Sequence, residues 1–325
     1  MLCLFFLLPR SASTIAPAVD HLLDFAIAFS VFFAGLIFIL LFVFAIKYRR
    51  RSPDEIPVQI DGSLPWELTW TVIPILIVIV IFVWGTDVFM RQRRPPSDCV
   101  HVYVVGKQWM WKIQHPEGPR EIDALHIPVG VPVELIMTSQ DVIHDFSVPA
   151  FRVKMDVLPD RYTTEWFTAT QTGVYHFYCD QYCGTFHSHM RGFVTVMSRQ
   201  AYEKWLSGGM HHQVSMAASG AKLYVSYGCI TCHGMGKAPP WVGLYDSKVR
   251  LSDGTTVIAD DAYIRRSILE PSAQIVAGFK PIMPTFQGQI SEDQILEIIA
   301  YIKSLSTVPN ATGATSVPAP AKETK

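Results

Sequence analysis

The sequence predicts a multidomain membrane protein: a transmembrane α-helical hairpin, then a compact antiparallel β-sandwich, then a small all-α domain. Three observations lead there. Two long apolar stretches fill most of the first ninety residues, a Val/Tyr/Phe/Thr-rich region follows, and two close cysteine pairs fall in different later segments. Half of the 325 residues are hydrophobic and only 17% are charged, a low share for a soluble protein. The formal net charge of −1 offers no basic field for nucleic acid, so charged partners must be met by local patches.

The opening MLCLFFLLPRSAS carries a short apolar run without a basic residue before it, and its processing stays open. Leu22 to Ile46 is almost wholly apolar. At about 1.5 Å per residue a helix of that length exceeds the roughly 30 Å of bilayer hydrocarbon. A second such stretch runs from Trp66 to Phe89, with Trp66, Trp70 and Trp84 towards its ends as interfacial aromatics. Lys47, Arg49, Arg50 and Arg51 between the two favour a cytoplasmic loop, although Arg91, Arg93 and Arg94 blunt the asymmetry.

From Val100 to Met197 the chain reads as short strands, VHVYVV, VPVELIM, TTEWFTA, GVYHFY and GFVTVM, punctuated by Gly, Pro and Asp. Trp109 and Trp111 alternate with Met110, which on a strand turns both to one side of the sheet. SGGMHHQVSMAASG has the small, polar composition of a linker. Helical segments follow in GAKLYVSYGC and SEDQILEIIAYIKSL, the second opening on a capping box, Ser291 with Gln294. The expected divisions are an N-terminal segment 1–20, a hairpin 21–95, a sandwich 96–206, a linker 207–218, a helical domain 219–306 and a disordered tail 307–325.

The densest chemistry lies in CDQYCGTFHSHM, which offers Cys179, Cys183, His187, His189 and Met190 directly after a predicted strand. Thiolate, thioether and imidazole together suit copper, and one Cys, one Met and two His would make a mononuclear site. Two cysteines point to a pair of ions bridged by thiolates, each ion taking one imidazole. Copper-binding sandwiches commonly draw one histidine from an earlier strand end, which makes His144 in DVIHDFSVP the candidate for the second. A Cys-x3-Cys alone could equally be a disulfide or half a zinc site, but the histidine and methionine that follow argue for copper. His189 has the wrong spacing for the role of His187, and His115, His126 and His176 lack ligand-like company.

Cys229, Ile230, Thr231, Cys232 and His233 form Cys-x-x-Cys-His, the c-type haem attachment motif: two thiols add to the haem vinyl groups and the histidine becomes an axial ligand. Met283 in GFKPIMPTFQG, between Pro281 and Pro284, is the candidate sixth ligand, whereas Met235 is too near the motif. Because bacteria attach haem outside the cytoplasmic membrane, both termini are expected on the outer side.

DVIHDFSVPAFRVKMDVLPDR, the Cys-x3-Cys-x3-His-x2-Met loop, GKQWMWKI and the hairpin resemble the subunit II family of haem-copper oxidases across nearly the first 200 residues. That resemblance implies a cupredoxin-like sandwich in which Cys179 and Cys183 bridge a copper pair. His144 and His187 would be the terminal imidazoles, Met190 the weak thioether ligand and Gln181 a backbone-carbonyl ligand. Glutamate is commoner in the family at position 181, where its carboxylate also serves an accessory magnesium or manganese, so that metal is not expected here. The resemblance further implies that Trp109 lies beneath the copper loop where electrons enter, and that Glu67 stands near the mouth of a proton channel. Residues from Ser219 to Leu305 resemble class I cytochromes c, implying His233 and Met283 as the axial pair and a carbonyl near Pro239 orienting His233.

Hairpin, copper domain and cytochrome in this order resemble the fused subunit II of caa-type oxidases. The function so implied is electron transfer in a bacterial cell membrane, from an external donor such as a soluble cytochrome c or other periplasmic redox protein, or an upstream respiratory complex, through haem c and binuclear copper, to a haem in subunit I. Oxygen reduction and proton pumping would be that partner's chemistry, with subunit III as a further partner and membrane lipid around the hairpin. The alternatives are a membrane-anchored copper-delivery factor, whose fold would be thioredoxin-like, and the copper domain of a nitrogen-oxide reductase. A quinol-oxidising relative would lack the copper cysteines.

Overall fold

The computed structural model describes residues 8–56, 62–116, 118–209 and 215–306; Cys3 and the tail 307–325 lie outside them. The chain divides into two units, Met1–Gln114 with Arg120–Trp205, and His115–Pro119 with Leu206–Lys325.

In the first unit, α1 (Ala16–Lys47) and α2 (Leu64–Gln92) have 32 and 29 residues, longer at both ends than the apolar stretches alone. At 1.5 Å per residue they rise about 48 and 44 Å, enough to cross the hydrocarbon and reach into both headgroup layers. Only Ala16 and Val88 are buried, so the apolar flanks face outward, as surfaces that lipid covers do. The hydroxyls of Ser30, Thr69 and Thr86 each donate to the carbonyl four residues back, which satisfies them where water is absent.

Both outer ends of the hairpin are fastened to the β-sandwich. Ahead of α1, Ala12 N–H donates to Ala150 O at 2.9 Å, Thr14 N–H to Thr168 O at 3.0 Å, and the Ser13 hydroxyl to Phe151 O at 2.8 Å. Arg152 Nε meets Asp20 at 2.7 Å, while at the end of α2 the Gln92 side chain donates to Arg152 O and the Trp166 indole to Arg91 O.

Ten strands make the sandwich: β1 (Val100–Lys107), β2 (Met110–Gln114), β3 (Arg120–Ile122), β4 (Ala124–Pro128), β5 (Pro132–Ser139), β6 (His144–Val148), β7 (Val153–Val157), β8 (Thr163–Thr168), β9 (Gly173–Cys179) and β10 (Arg191–Met197). One sheet runs β3-β2-β1-β5-β8 and the other β4-β10-β9-β6-β7. The expectation of a purely antiparallel sandwich needs correction, because β1 pairs with β5 and β10 with β4 in parallel. Residue alternation fixes which face is buried but not which strands meet, and here the chain changes sheets between the parallel partners. Trp111, Phe146, Phe151, Phe167 and Phe177 fill the space between the sheets.

Two further expectations change. Trp109 is not in the strand with Trp111: it occupies the turn before β2, half-buried, while Trp111 is wholly buried in the core. The expected linker 207–218 is helical at both ends, since α3 (Arg199–Gly209) runs into it and α4 (Met216–Ser226) begins inside it. Burial of Tyr202 and stacking of Trp205 on His126, centroids 4.6 Å apart, hold the apolar side of α3. Residues 210–214 of that linker lie outside the described residues.

The second unit contains α4, α5 (Ile230–His233), a two-stranded ribbon of β11 (Lys248–Arg250) and β12 (Thr256–Ile258), α6 (Asp261–Leu269) and α7 (Glu292–Ser306). α7 opens on the expected reciprocal cap, Gln294 N–H to Ser291 Oγ at 3.3 Å and Ser291 N–H to Gln294 Oε1 at 3.0 Å. Where α4 crosses α7, a methyl group on Gly220 would sit 2.0 Å from Glu297 O, so the crossing requires glycine.

One core position works against stability at neutral pH. Glu165 of β8 faces inward opposite Leu135, 5% exposed, with Oε2 lacking a hydrogen-bond partner. Burial, followed by the nearby Asp145, pushes its pKa well above the ordinary carboxylate range, against the pull of Arg93. The folded state thus keeps a proton that the unfolded chain releases near pH 4.3, and stability falls as pH rises from there towards the folded pKa. Glu165→Gln is expected to raise the melting temperature of the sandwich by several degrees at pH 7, about 4–8 °C for each kcal/mol. In thermal melts followed by circular dichroism the gain will vanish near pH 4; an equal gain at both pH values would contradict the burial argument.

Candidate copper and haem sites

Antiparallel pairing of β6 with β9 sets Phe146 opposite Cys179, and Asp180 N–H continues the ladder to Asp145 O at 3.1 Å. His144 at the start of one strand therefore meets Cys179 at the end of the other. The loop to β10 is closed at its base by Cys179 N–H to Met190 O, 2.9 Å, and tightened by a 3-10 turn at His187–His189. Gly184 has φ +117°, and a Cβ there would lie 3.1 Å from Gln108 Nε2 and 3.2 Å from the Trp109 ring, so this turn also needs glycine.

The donor atoms form a row. His144 Nδ1 lies 3.8 Å from Cys179 Sγ, Cys179 Sγ 3.8 Å from Cys183 Sγ, and Cys183 Sγ 3.5 Å from His187 Nδ1. Met190 Sδ is 3.8 Å from Cys183 Sγ and Gln181 O is 3.2 Å from Cys179 Sγ. Both thiols are free and buried, as are His144 and Met190, while His187 is half-buried. Among the described residues, His144, Cys179 and Cys183 make up the one group of three or more His, Cys, Asp or Glu donors close enough to share an ion.

The donor set fits two soft ions. Sulfurs 3.8 Å apart can both reach one metal at the ~2.3 Å of a metal–thiolate bond, and an imidazole flanks the sulfur pair at each end. Burial, followed by the charge of Cys179, pushes the metal-free Cys183 thiol up to about 12, so metal binding must release its proton. Space for the His144 ring comes from Gly106, where a Cβ would lie 2.9 Å from His144 Cδ2.

His189 is exposed and turns to Ser188 and Phe186, apart from the sulfur atoms. His126 pairs with Glu121, and His176 packs on Tyr178 and Phe193. Trp109 lies against the Cys179–Met190 loop, its indole N–H 3.3 Å from Cys183 O and its ring 5.0 Å from that of Phe186. Glu67, in the first turn of α2, accepts from Ser63 N–H at 3.2 Å, a helix-capping contact in this chain. Two neighbours of the donor row are absent from the residues that the sequence alone singles out. Asp141 Oδ1 lies 2.8 Å from His144 Nε2, and Gln108 Nε2 donates to Cys183 O at 2.8 Å. The Asp-x-x-His spacing is a signal for the first; nothing local marks the second. Burial would raise the Asp141 pKa, but the Gln108 amide, His144 and the Val142 amide outweigh it and hold this carboxyl below its usual value.

In the second unit a cavity of about 370 Å³ is lined by Cys229, Cys232, His233, Trp241, Met283 and Phe286 among others. His233 Nδ1 lies 2.7 Å from Pro239 O and the ring packs on Trp241, so Nε2 is left as the metal-facing nitrogen. Desolvation lowers the His233 pKa against that bond, which favours the neutral ligand form. Met235 is 66% exposed and does not line the cavity, whereas Met283 does. Two thiols, an imidazole, a thioether and an apolar wall fit a covalently attached haem. Met283→Leu is expected to leave haem covalently bound while lowering its potential by roughly 0.1 V or more, since axial ligands move haem potentials over about 0.8 V. A redox titration of the haem absorbance checks this, and an unchanged potential would remove Met283 from the ligand set.

Residues 3–87 match the family described as cytochrome c oxidase subunit II, transmembrane domain, and residues 120–197 match its periplasmic domain. Residues 215–302 match cytochrome c oxidase, cbb3-type, subunit III. The chain is 29% identical over 280 residues to cytochrome c oxidase subunit 2 of Alkalihalophilus pseudofirmus, covering 81% of this chain and 80% of that one. It is 31% identical over 255 residues to cytochrome c oxidase subunit 2 of Thermostichus vulcanus, covering 61% and 77%. A crystal structure of the periplasmic domain of subunit II of cytochrome oxidase of Bradyrhizobium japonicum is similar at 26% identity and TM-score 0.35, covering 36% of this chain and 96% of that one.

Proposed function

The chain belongs to the cytochrome c oxidase subunit II family, as part of a haem-copper oxidase and with a cytochrome c domain of its own; from that premise we propose that it is the electron-receiving subunit of a caa-type oxidase. When bound, haem c and binuclear copper A supply one-electron carriers, by which an electron from an external donor reaches a haem of subunit I, where oxygen is reduced to water with proton pumping.

The row His144, Cys179, Cys183, His187 is the observation that carries this reading. Cys179 and Cys183 would hold the two ions between them, with His144 and His187 at the ends of the row and Met190 and the Gln181 carbonyl as weaker donors. The closed loop base and the packed core beneath hold these donors in nearly one geometry, which keeps reorganisation on electron transfer small. Cys229 and Cys232 would hold haem covalently, with His233 and Met283 supplying its iron ligands from the cavity wall. Trp109, whose indole N–H donates to Cys183 O, helps electrons enter at the loop. Glu67 has the role of a carboxylate at the proton-channel mouth.

The hairpin anchors the chain in the bacterial cell membrane, beside subunit I and subunit III. Both its outer ends are fastened to the sandwich. Lys47, Arg49, Arg50 and Arg51 then lie at the other end, consistent with a cytoplasmic loop and with both termini and both metal domains outside. A copper-delivery factor is disfavoured, because the chain folds as a sandwich with His144 ahead of the cysteines rather than as a thioredoxin.

Cys179→Ser tests the route in the assembled oxidase. Loss of even outer-shell partners costs metal sites about 10–100-fold, so removing a bridging thiolate is expected to cut oxygen consumption at least ~100-fold. The donor will still reduce the haem, as read by its absorbance. Oxygen consumption near the wild-type rate would overturn the proposed path.

A further inference from the structure

We infer that Asp141 is the positioning residue of the copper centre, fixing the proton of His144 and tying that imidazole to Cys183 through the β1–β2 turn. The inference deepens the copper reading above and rests on it.

Asp141 sits in the short connection between β5 and β6, three residues before His144. Its Oδ1 lies 2.8 Å from His144 Nε2 and accepts from Val142 N–H at 2.7 Å, while its Oδ2 accepts from Gln108 N–H at 2.8 Å. An ionised carboxylate can only accept, so the imidazole must carry its proton on Nε2. That leaves the Nδ1 lone pair free on the side of Cys179 Sγ, 3.8 Å away. With His144 fully buried and Trp111 against its ring, the wrong tautomer would have no water to repair it.

The other carboxylate oxygen reaches across to the first sheet. Gln108, whose amide N–H it holds, donates through its own side chain to Cys183 O at 2.8 Å, and Trp109 adds a second donor at 3.3 Å. One carboxylate therefore closes a circuit from the imidazole at one end of the donor row to the backbone of the far bridging cysteine. Its negative charge makes the imidazole a better donor and favours the oxidised centre. Removing the charge raises the midpoint potential, a shift that loosening the turn alone does not produce.

Asp141→Asn in the intact oxidase separates these effects. The variant is expected to show an upward-shifted copper potential in a spectroelectrochemical titration, an altered copper hyperfine pattern, and copper held roughly 10–100-fold less tightly against a chelator. Ser139→Ala is the control for the turn. The Ser139 hydroxyl donates to Val142 O, accepts from Asp141 N–H at 3.2 Å and lies 3.4 Å from Asp141 Oδ1, but makes no hydrogen bond to His144. Its potential is expected to stay at the wild-type value. A wild-type potential in Asp141→Asn, or an equal shift in Ser139→Ala, would overturn the positioning role.

A second measurement needs no variant. Electron–nuclear double resonance of the wild-type centre after transfer to D2O is expected to retain one slowly exchanging imidazole proton, that of buried His144. Rapid exchange of every imidazole proton would also overturn the role, whereas absence of any two-copper signal in the wild type would defeat the copper reading beneath it.

Discussion

Everything at the copper end depends on the register between β6 and β9. With Phe146 opposite Cys179, the inward positions of β6 are His144, Phe146 and Val148, and the first of them arrives beside the sulfur atoms. A slip of one residue would turn His144 to the outer face and bring Asp145 inward. The register is defended from below by the aromatic core: the Trp111, Phe146 and Phe177 rings pack at 4.6–6.4 Å, and each belongs to a strand whose shift would tear that packing apart. The donor row is thus a consequence of sheet pairing plus core volume, with the loop supplying only the last few ångströms.

The two units gather their donors by different means. In the sandwich, donors separated by 35 residues in sequence are united by long-range pairing, so the site exists only when the whole sheet does. In the second unit, both thiols and the histidine occur within five consecutive residues on and beside one short helix. There the tertiary structure builds the wall instead. α4 and α7 cross at Gly220, and α7 buries Ile295, Leu296, Ile298, Ile299 and Ile302 to form part of the core behind the cavity.

That difference explains how much of each site is legible in the sequence. Cys-x-x-Cys-His is local covalent chemistry and is readable without a fold. Grouping His144 with the cysteines requires an added assumption about strand ends, and the structure brings those residues together. The alternation Trp-x-Trp misplaces Trp109 because it ignores the turn that ends β1. α3 runs into the expected linker because its amphipathic turn Tyr202–Trp205 packs on the sandwich, whereas the small, polar residues after it mask its end. The parallel pairing of β1 with β5 leaves no mark on the pattern of either strand. α1 begins at Ala16, whose N–H donates to Ser13 Oγ, and its first turns carry Asp20 to Arg152, contacts that hydropathy cannot foresee. Asp141 lies only three residues from His144, yet a carboxylate at that spacing acquires meaning only when the turn folds it onto the imidazole.

Metal analysis combined with electron paramagnetic resonance of the purified full-length chain tests the central claim most directly. A thiolate pair shared between two imidazoles predicts two copper ions per chain and, in the partly reduced state, one unpaired electron spread equally over both, giving a seven-line hyperfine pattern. A single copper with a four-line pattern, or zinc in its place, would contradict it.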